Sequence, residues 1–265
     1  MNGFYHPAVT PVKDSPPPHP HPSGLRPPLR PLRVLAVGAH PDDLEIICGG
    51  TLARFAREGH DVVMCNVTTG NRGSFVHTAE EIARIRLGEA RRAAEVIGAE
   101  HVTLGLSDTE VNAGDPEQKR LVIDLVREAR PDVVITHYPQ DYMGDHDETS
   151  KLVFQCSFHA TLPLVETGRP YHPVVAPIYY MDTVFGVGFA PTEYVDVSDV
   201  IDVKTKALEA HESQLTWLRD HDGIDVVEQM ITSARYRGMQ CGAAYAEGFV
   251  PCQTWLRGTT RRLLP

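Results

Sequence analysis

"RVLAVGAHPDDLEIICGGTLARFAREG", Arg33 to Gly59, turns a short β-branched run into a helical one. The run 33–39 predicts a first strand, and the stretch through "GGTLARFAREG" predicts a helix that stops near Gly59. In a parallel sheet such a junction often receives a nucleotide, on a glycine-rich turn whose backbone amides surround a pyrophosphate. Here the turn reads "GAHPDD", and His40, Asp42, Asp43 and Glu45 crowd it. Carboxylates repel phosphate and suit a cation, which argues against a nucleotide-dependent Rossmann enzyme.

The alternation of strand and helix continues down the chain. "DVVMCNVTT" (61–69) predicts a second strand, and residues 79–98 carry apolar positions at helical spacing and stop on Gly98. "HVTLGL" (101–106) predicts a third strand, 116–130 a helix opened by Pro116 and closed before Pro131, and "DVVITHY" (132–138) another strand. A helix from about Glu148 to Leu162, a strand at 176–182, an edge strand at 193–199 and two closing helices, 203–221 and 226–240, complete the reading. The expected fold class is α/β: a Rossmann-like, doubly wound, mainly parallel sheet flanked by helices. Residues 1–32 hold ten of the 21 prolines and are expected to form a flexible tail, leaving 33–265 as the domain. His19 and His21 within that tail read as bystanders to any metal chemistry.

A chain of 265 residues with 42% hydrophobic content can bury one sizeable core. Its formal net charge of −10 and pI near 5.7 give no basic surface for nucleic acid or an anionic membrane. No apolar run approaches the roughly 18 to 20 residues of a membrane span, and no secretory signal opens the sequence. A cytoplasmic protein acting on a small molecule is expected. The five cysteines are scattered without a CxxC pair, which fits reduced core thiols better than disulfides or a cysteine-based zinc site. One-sided apolar helices near the C-terminus would suit a homo-oligomer.

In a doubly wound sheet, ligands gather outside the carboxyl ends of the strands. The loops at 40–45, 68–74 and 139–149 should therefore open on one rim. The last, within "THYPQDYMGDHDET", again concentrates His and Asp: His137, Asp141, Asp145, His146 and Asp147. Two such loops read as halves of one metal site. His40, Asp43 and His146 supply two imidazoles and a carboxylate, a set that leaves a coordination position for water. Zinc is the expected ion, and other divalent metals also suit the set. An open position lets zinc lower the pKa of its water to about 7 and polarise a carbonyl. Asp42 is then the candidate base. Taken alone, "HPDD" reads equally as a helix N-terminus, with Pro41 setting the turn and Asp capping free amides.

"AHPDDLE", "CGGTLARFAREGHDV", "TTG", "RLGEARRAAEVIGAEHVTLGLSD" and "DYMGDHDETSKLV" follow one another in an order and spacing that resembles the PIG-L/LmbE family of zinc-dependent N-deacetylases. The resemblance runs from about Arg33 to the "AHESQ" stretch near Gln214. It implies metal ligation by His40, Asp43 and His146, with Asp42 as general base. It also implies that Arg86 and Asp108 hold sugar hydroxyls, although Arg86 could pair with Glu89 or another helix charge and Asp108 could cap a turn. The implied substrates are N-acetylated amino sugars and their glycosides.

One position departs from the pattern. Many relatives carry a histidine three residues before the metal histidine, and this chain has Met143, which neither stabilises an oxyanion nor donates a proton. Losing one oxyanion donor costs roughly 2.7–4 kcal/mol. His211, Tyr142 and His137 are the polar candidates to replace it, His211 first, though a lone histidine on an amphipathic helix is also an ordinary surface or packing residue. The rival to an enzyme is a non-catalytic metal- or sugar-binding protein of the same fold. "TTGNRGSF" (68–75) and "MDTVFGVGFAPTE" (181–193) are long enough to wall a pocket, where Phe75, Phe185 and Phe189 could stack on a sugar or simply pack.

Overall fold

The computed structural model describes residues 30–265. The proline-rich stretch before Arg30, with His19 and His21, lies outside the described residues. Strand β1 (Arg33–Gly38) sends Val34 and Ala36 into one core cluster and Leu35 and Val37 into another. Because both faces are covered, its apolar run is continuous instead of alternating. Helix α1 (Asp43–Arg57) follows, and β2 (Asp61–Thr68) returns parallel to β1, with Val34 opposite Val62.

Helix α2 (Ala79–Ile97) opens on a reciprocal capping box between Thr78 and Glu81 and closes on Gly98 at φ 85°, a conformation glycine adopts without strain. Then come β3 (Glu100–Leu106), α3 (Pro116–Ala129) with Asp115 as its cap, β4 (Val133–Thr136), α4 (Gly144–His159) and β5 (Ile178–Met181). The chain ends with β6 (Glu193–Asp196), α5 (Ile201–Glu209), α6 (Glu212–Asp222), α7 (Val226–Cys241) and β7 (Ala246–Pro251). Sheet order is β3-β2-β1-β4-β5-β7-β6, parallel through β5, with β7 antiparallel to both β5 and β6. Residues of α1, α2 and α5 share one core cluster, and those of α3 and α4 share the other. This is the α/β, mainly parallel architecture expected from the sequence.

Four features differ from the expectation. Helix α4 begins at Gly144, so His146 stands in its first turn and not in a loop. The predicted helix 203–221 is two helices, broken at Ala210 and His211. Strand β7 went unpredicted, and it separates β5 from the edge strand β6. Finally, Arg30 pairs with Asp132 at 2.7 Å and Leu32 is buried, so these residues, assigned to the tail by composition, pack on the domain. Among the described residues no helix is long and apolar enough to cross a membrane. Cys48, Cys65, Cys156 and Cys252 are buried free thiols, and Cys241 is exposed.

The strand order changes direction between β1 and β4, which makes their carboxyl ends the expected ligand crevice. Hydrogen bonds pin the strand ends together there. Thr136 Oγ1 donates to Val37 O at 3.0 Å, Ala39 N to His137 Nε2 at 2.9 Å, and Thr68 N to Ala39 O at 2.8 Å.

Candidate metal centre

Residues 39–42 carry the chain from β1 into α1, and Asp42 pays a conformational cost in making that turn. Its φ of 120° is far from the region L-residues favour, a strain worth about 1–3 kcal/mol that persists only where the surroundings fix it. Although Asp42 occupies the cap position of α1, its side chain makes no capping hydrogen bond. The turn therefore does not hold Asp42 as an ordinary cap. It leaves a buried carboxylate beside Asp43, which accepts a hydrogen bond from His40 N at 2.6 Å.

Donor atoms of His40, Asp43 and His146 all lie within 4.8 Å of one another. His146 comes from the first turn of α4, buried, with Nε2 3.2 Å from Asp43 Oδ1 but without a hydrogen-bond partner. Its other ring nitrogen, Nδ1, lies 3.0 Å from Asp141 Oδ2, and His40 Nε2 lies 3.1 Å from Asp145 Oδ2. Each imidazole thus has a carboxylate behind it and one nitrogen left for the cluster, the arrangement that fixes tautomer and ring direction in metal-binding histidines. Sequence reading placed Asp141 and Asp145 in an acidic loop without giving them this task. The spacing of each to His146 carries no distinctive signal, since solvated loops are commonly acidic.

Electrostatics point the same way. Burial disfavours charge on His40 and His146, yet Asp43 together with Asp145 beside His40 and Asp141 beside His146 outweighs it and lifts them to about 10 and about 9. Asp43 itself, despite burial, is held well below the usual carboxylate range by His146 and His40. The cluster draws positive charge, and its N,N,O donor set with an orphaned buried Nε2 fits a divalent cation of the zinc type. A second donor group, His137, Asp141 and His146, shares His146, but there the contact with Asp141 already engages Nδ1. His137 stacks on His146 at 3.8 Å and accepts from Ala39 N; burial and then His146 push it down to about 4, so it is a neutral wall of the site.

On the other side of the cluster, burial raises the Asp42 carboxyl above its ordinary value against the pull of Arg86, whose Nη2 lies 3.4 Å away. Arg86 is buried and also donates to the carbonyls of Pro41 and Gly70. Asp108 accepts from Gly70 N at 2.8 Å and Arg72 N at 3.1 Å. Both residues therefore hold the turns that form the rim. His211 is fully buried at the break between α5 and α6, 3.2 Å from Glu45 Oε1, and neither ring nitrogen has a hydrogen-bond partner. Met143 caps α4 only through its backbone, with its amide donating to Asp141. Tyr142 is exposed and donates to Val184 O at 3.1 Å.

Of the three phenylalanines, Phe189 is buried edge-on against Tyr138 and is a packing residue. Phe185 is half exposed, in a 3-10 turn at Val184–Gly186 with φ 64°. Phe75 is the most exposed of the three.

The profile of the family described as PIG-L, GlcNAc-PI de-N-acetylase, matches residues 35–157. The chain is similar to a diacetylchitobiose deacetylase of Thermococcus kodakarensis, 32% identical over 234 residues that cover 83% of each protein. Among solved structures, an N,N'-diacetylchitobiose deacetylase from Pyrococcus horikoshii superposes with a TM-score of 0.73 at 26% identity, covering 83% of each chain. The 4-carboxy-2-hydroxymuconate hydratase GalB from Pseudomonas putida reaches a TM-score of 0.74 at 23% identity, covering 87% of this chain and 98% of that one. At that identity the likeness is one of fold, and the fold alone does not select a reaction.

Proposed function

The chain belongs to the PIG-L family of de-N-acetylases, and on that premise we propose that it is a cytoplasmic, zinc-dependent hydrolase that removes the acetyl group from the amine of an N-acetylglucosamine-type sugar or glycoside. The observation that carries the reading is the convergence of His40, Asp43 and His146, with the strained, uncapped Asp42 carboxylate beside them. His40, Asp43 and His146 would hold the ion. Zinc, when bound in such a set, supplies Lewis acidity toward the amide carbonyl and a nucleophilic water.

The protein's own groups manage the protons. Asp42 is the base: its carboxylate accepts the proton of the attacking water as the C–O bond forms, and burial gives it more proton affinity than an exposed aspartate has. When the C–N bond breaks, the departing amine needs a proton. Asp42 can return the one it took, and His211, held above its ordinary value by Glu45 despite burial, is a second donor on the same side. Arg86 and Asp108 keep the 40–45 and 70–72 turns in place around the sugar. His211 thereby takes the part that Met143 cannot play.

The test is acetate release from N-acetylglucosamine and N,N'-diacetylchitobiose by zinc-loaded protein, with and without chelator. Chelation should abolish release. Asp42→Asn should retain zinc and lose about 10²- to 10⁴-fold in kcat, whereas His146→Ala should lose the metal itself. Zinc-loaded protein that releases no acetate from any N-acetylated sugar would leave the non-catalytic binding reading.

A further inference from the structure

Outside the donor cluster, the 70–78 loop and α6 bring three aromatic rings together. Phe75 is 68% exposed, yet its ring centroid lies 4.6 Å from Trp217 and 5.8 Å from His221. Trp217 and His221 stack at 4.4 Å with 18° between their planes. The phenyl ring is thus propped from behind and still largely open.

Both supports of this cluster start at the candidate site. The loop leaves it at Gly70 and Arg72, whose amides Asp108 holds, and Gly70 O accepts from Arg86. Helix α6 leaves it at His211, and Ser213 at its start is clamped by both oxygens of Glu89. Residues 211, 214, 217 and 221 follow at three- and four-residue spacing, which lines them along one helix face. At 1.5 Å per residue, Trp217 stands about 9 Å along that face from His211. Between them Gln214 is 5% exposed with Nε2 lacking a partner, and a Cβ at Gly73 would lie 3.3 Å from that atom and 3.5 Å from Trp217 Nε1. The loop is seated on the helix, with an unsatisfied amide at the seam.

We infer that Phe75, backed by Trp217 and His221, is a second sugar subsite: it takes the neighbouring pyranose ring of an N-acetylglucosamine oligosaccharide while the ring bearing the scissile acetamide lies at the donor cluster. The inference rests on the deacetylase reading for the identity of the first ring. A β-linked pyranose presents C–H groups on its face, which match the negative face of an aromatic ring. Its hydroxyls can meet the exposed His221 ring, whose Nδ1 lies 2.8 Å from Asp222 Oδ1. The roughly 9 Å of helix from His211 to Trp217 is longer than one pyranose ring and is on the order of a disaccharide.

Trp217 and Trp255 are the two tryptophans of the chain, so Trp255→Phe leaves Trp217 as the fluorescent probe. The zinc-supplemented full-length protein in that background is titrated with N-acetylglucosamine, N,N'-diacetylchitobiose and an aryl N-acetylglucosaminide, and acetate release is measured in parallel with Phe75→Ala. Saturable change in Trp217 emission is expected with the disaccharide and not with the monosaccharide. Phe75→Ala should lower the disaccharide-to-monosaccharide ratio of kcat/KM about five- to tenfold, through KM. An emission indifferent to the disaccharide, or a ratio unchanged by Phe75→Ala, overturns the subsite; so does a response to the aryl glycoside alone, which would mean a flat aglycone. If the disaccharide shifts the emission but no acetate appears, the subsite stands and the deacetylase reading falls.

Discussion

Glu45 and His211 are both buried, 3.2 Å apart, and the rest of the neighbourhood decides what that pair is worth. Burial lowers the His211 pKa, Glu45 and then Asp42 raise it, and Arg86 opposes them; the net shift is upward from 6.5. A histidine raised on folding contributes stability that is fully present below about pH 6.5 and is lost as pH rises through its folded value. Glu45→Gln removes the partner and should cost about 3 kcal/mol in urea unfolding at pH 6, as for breaking a buried ion pair. The cost should shrink as pH rises through the folded value of His211. A cost that is already small at pH 6 would show that His211 is neutral in the fold and not a charged proton donor. In the sequence, His211 was one histidine on a helical pattern, and only the helix break turns it inward. His40, Asp43 and His146 were legible because their residue types are costly to gather at strand ends without a cation. Asp141 and Asp145 were not, because hydrogen bonding to a ring nitrogen leaves no trace in composition.

Elements built from local pattern were legible, and those that depend on distant partners were not. β1, β2, α2, β3 and α3 follow from apolar period and caps within a residue or two, whereas α1 starts at Asp43, ahead of the "GGTLARFAREG" run that marks it. By contrast, "AEGFVP" of β7 is short and carries Gly and Pro, and its place comes from pairing with β5 and β6 and from one side chain. Glu247 accepts from Gly50 N at 2.8 Å and Thr51 N at 2.7 Å in the middle of α1, and forms a buried ion pair with Lys204 of α5. The close approach of Val197, just after β6, and of Glu247 on β7 to α1 requires a residue without a side chain at position 50. A Cβ there would lie 2.7 Å from Val197 Cγ1, 2.8 Å from Val197 Cβ and 3.0 Å from Glu247 Oε1. Gly50→Ala should therefore destabilise by about 1–3 kcal/mol despite the better helix propensity of alanine. A urea midpoint equal to or above that of the parent would mean that the α1–β7 seam has slack. The early start of α4 belongs to the same lesson: Asp145 and Asp147 read as loop acids, whereas acids in a first turn complement the helix dipole.

At the scale of the whole molecule, the donor set joins the two halves of the sheet. His40 and Asp43 follow β1, His146 lies beyond β4, and the strand order reverses between those two strands. A cation held by all three residues links segments about a hundred residues apart in sequence, and it binds a geometry that the unfolded chain does not possess. Binding to the native state alone stabilises by about 2.7 kcal/mol at a hundredfold excess over Kd. For a domain of this size each kcal/mol moves the melting temperature by about 2–4 °C. Zinc at that excess should therefore raise the Tm by about 5–11 °C over chelated protein, in a scan that needs no substrate. His146→Ala should lose the increment, while Phe75→Ala, in the 70–78 loop and outside the donor set, should keep it. Carboxylates elsewhere on a chain of net charge −10 could also attract cations, and the variants separate the two cases: if His146→Ala keeps the full zinc-dependent rise, the ion stabilises the protein from somewhere other than the β1–β4 crevice.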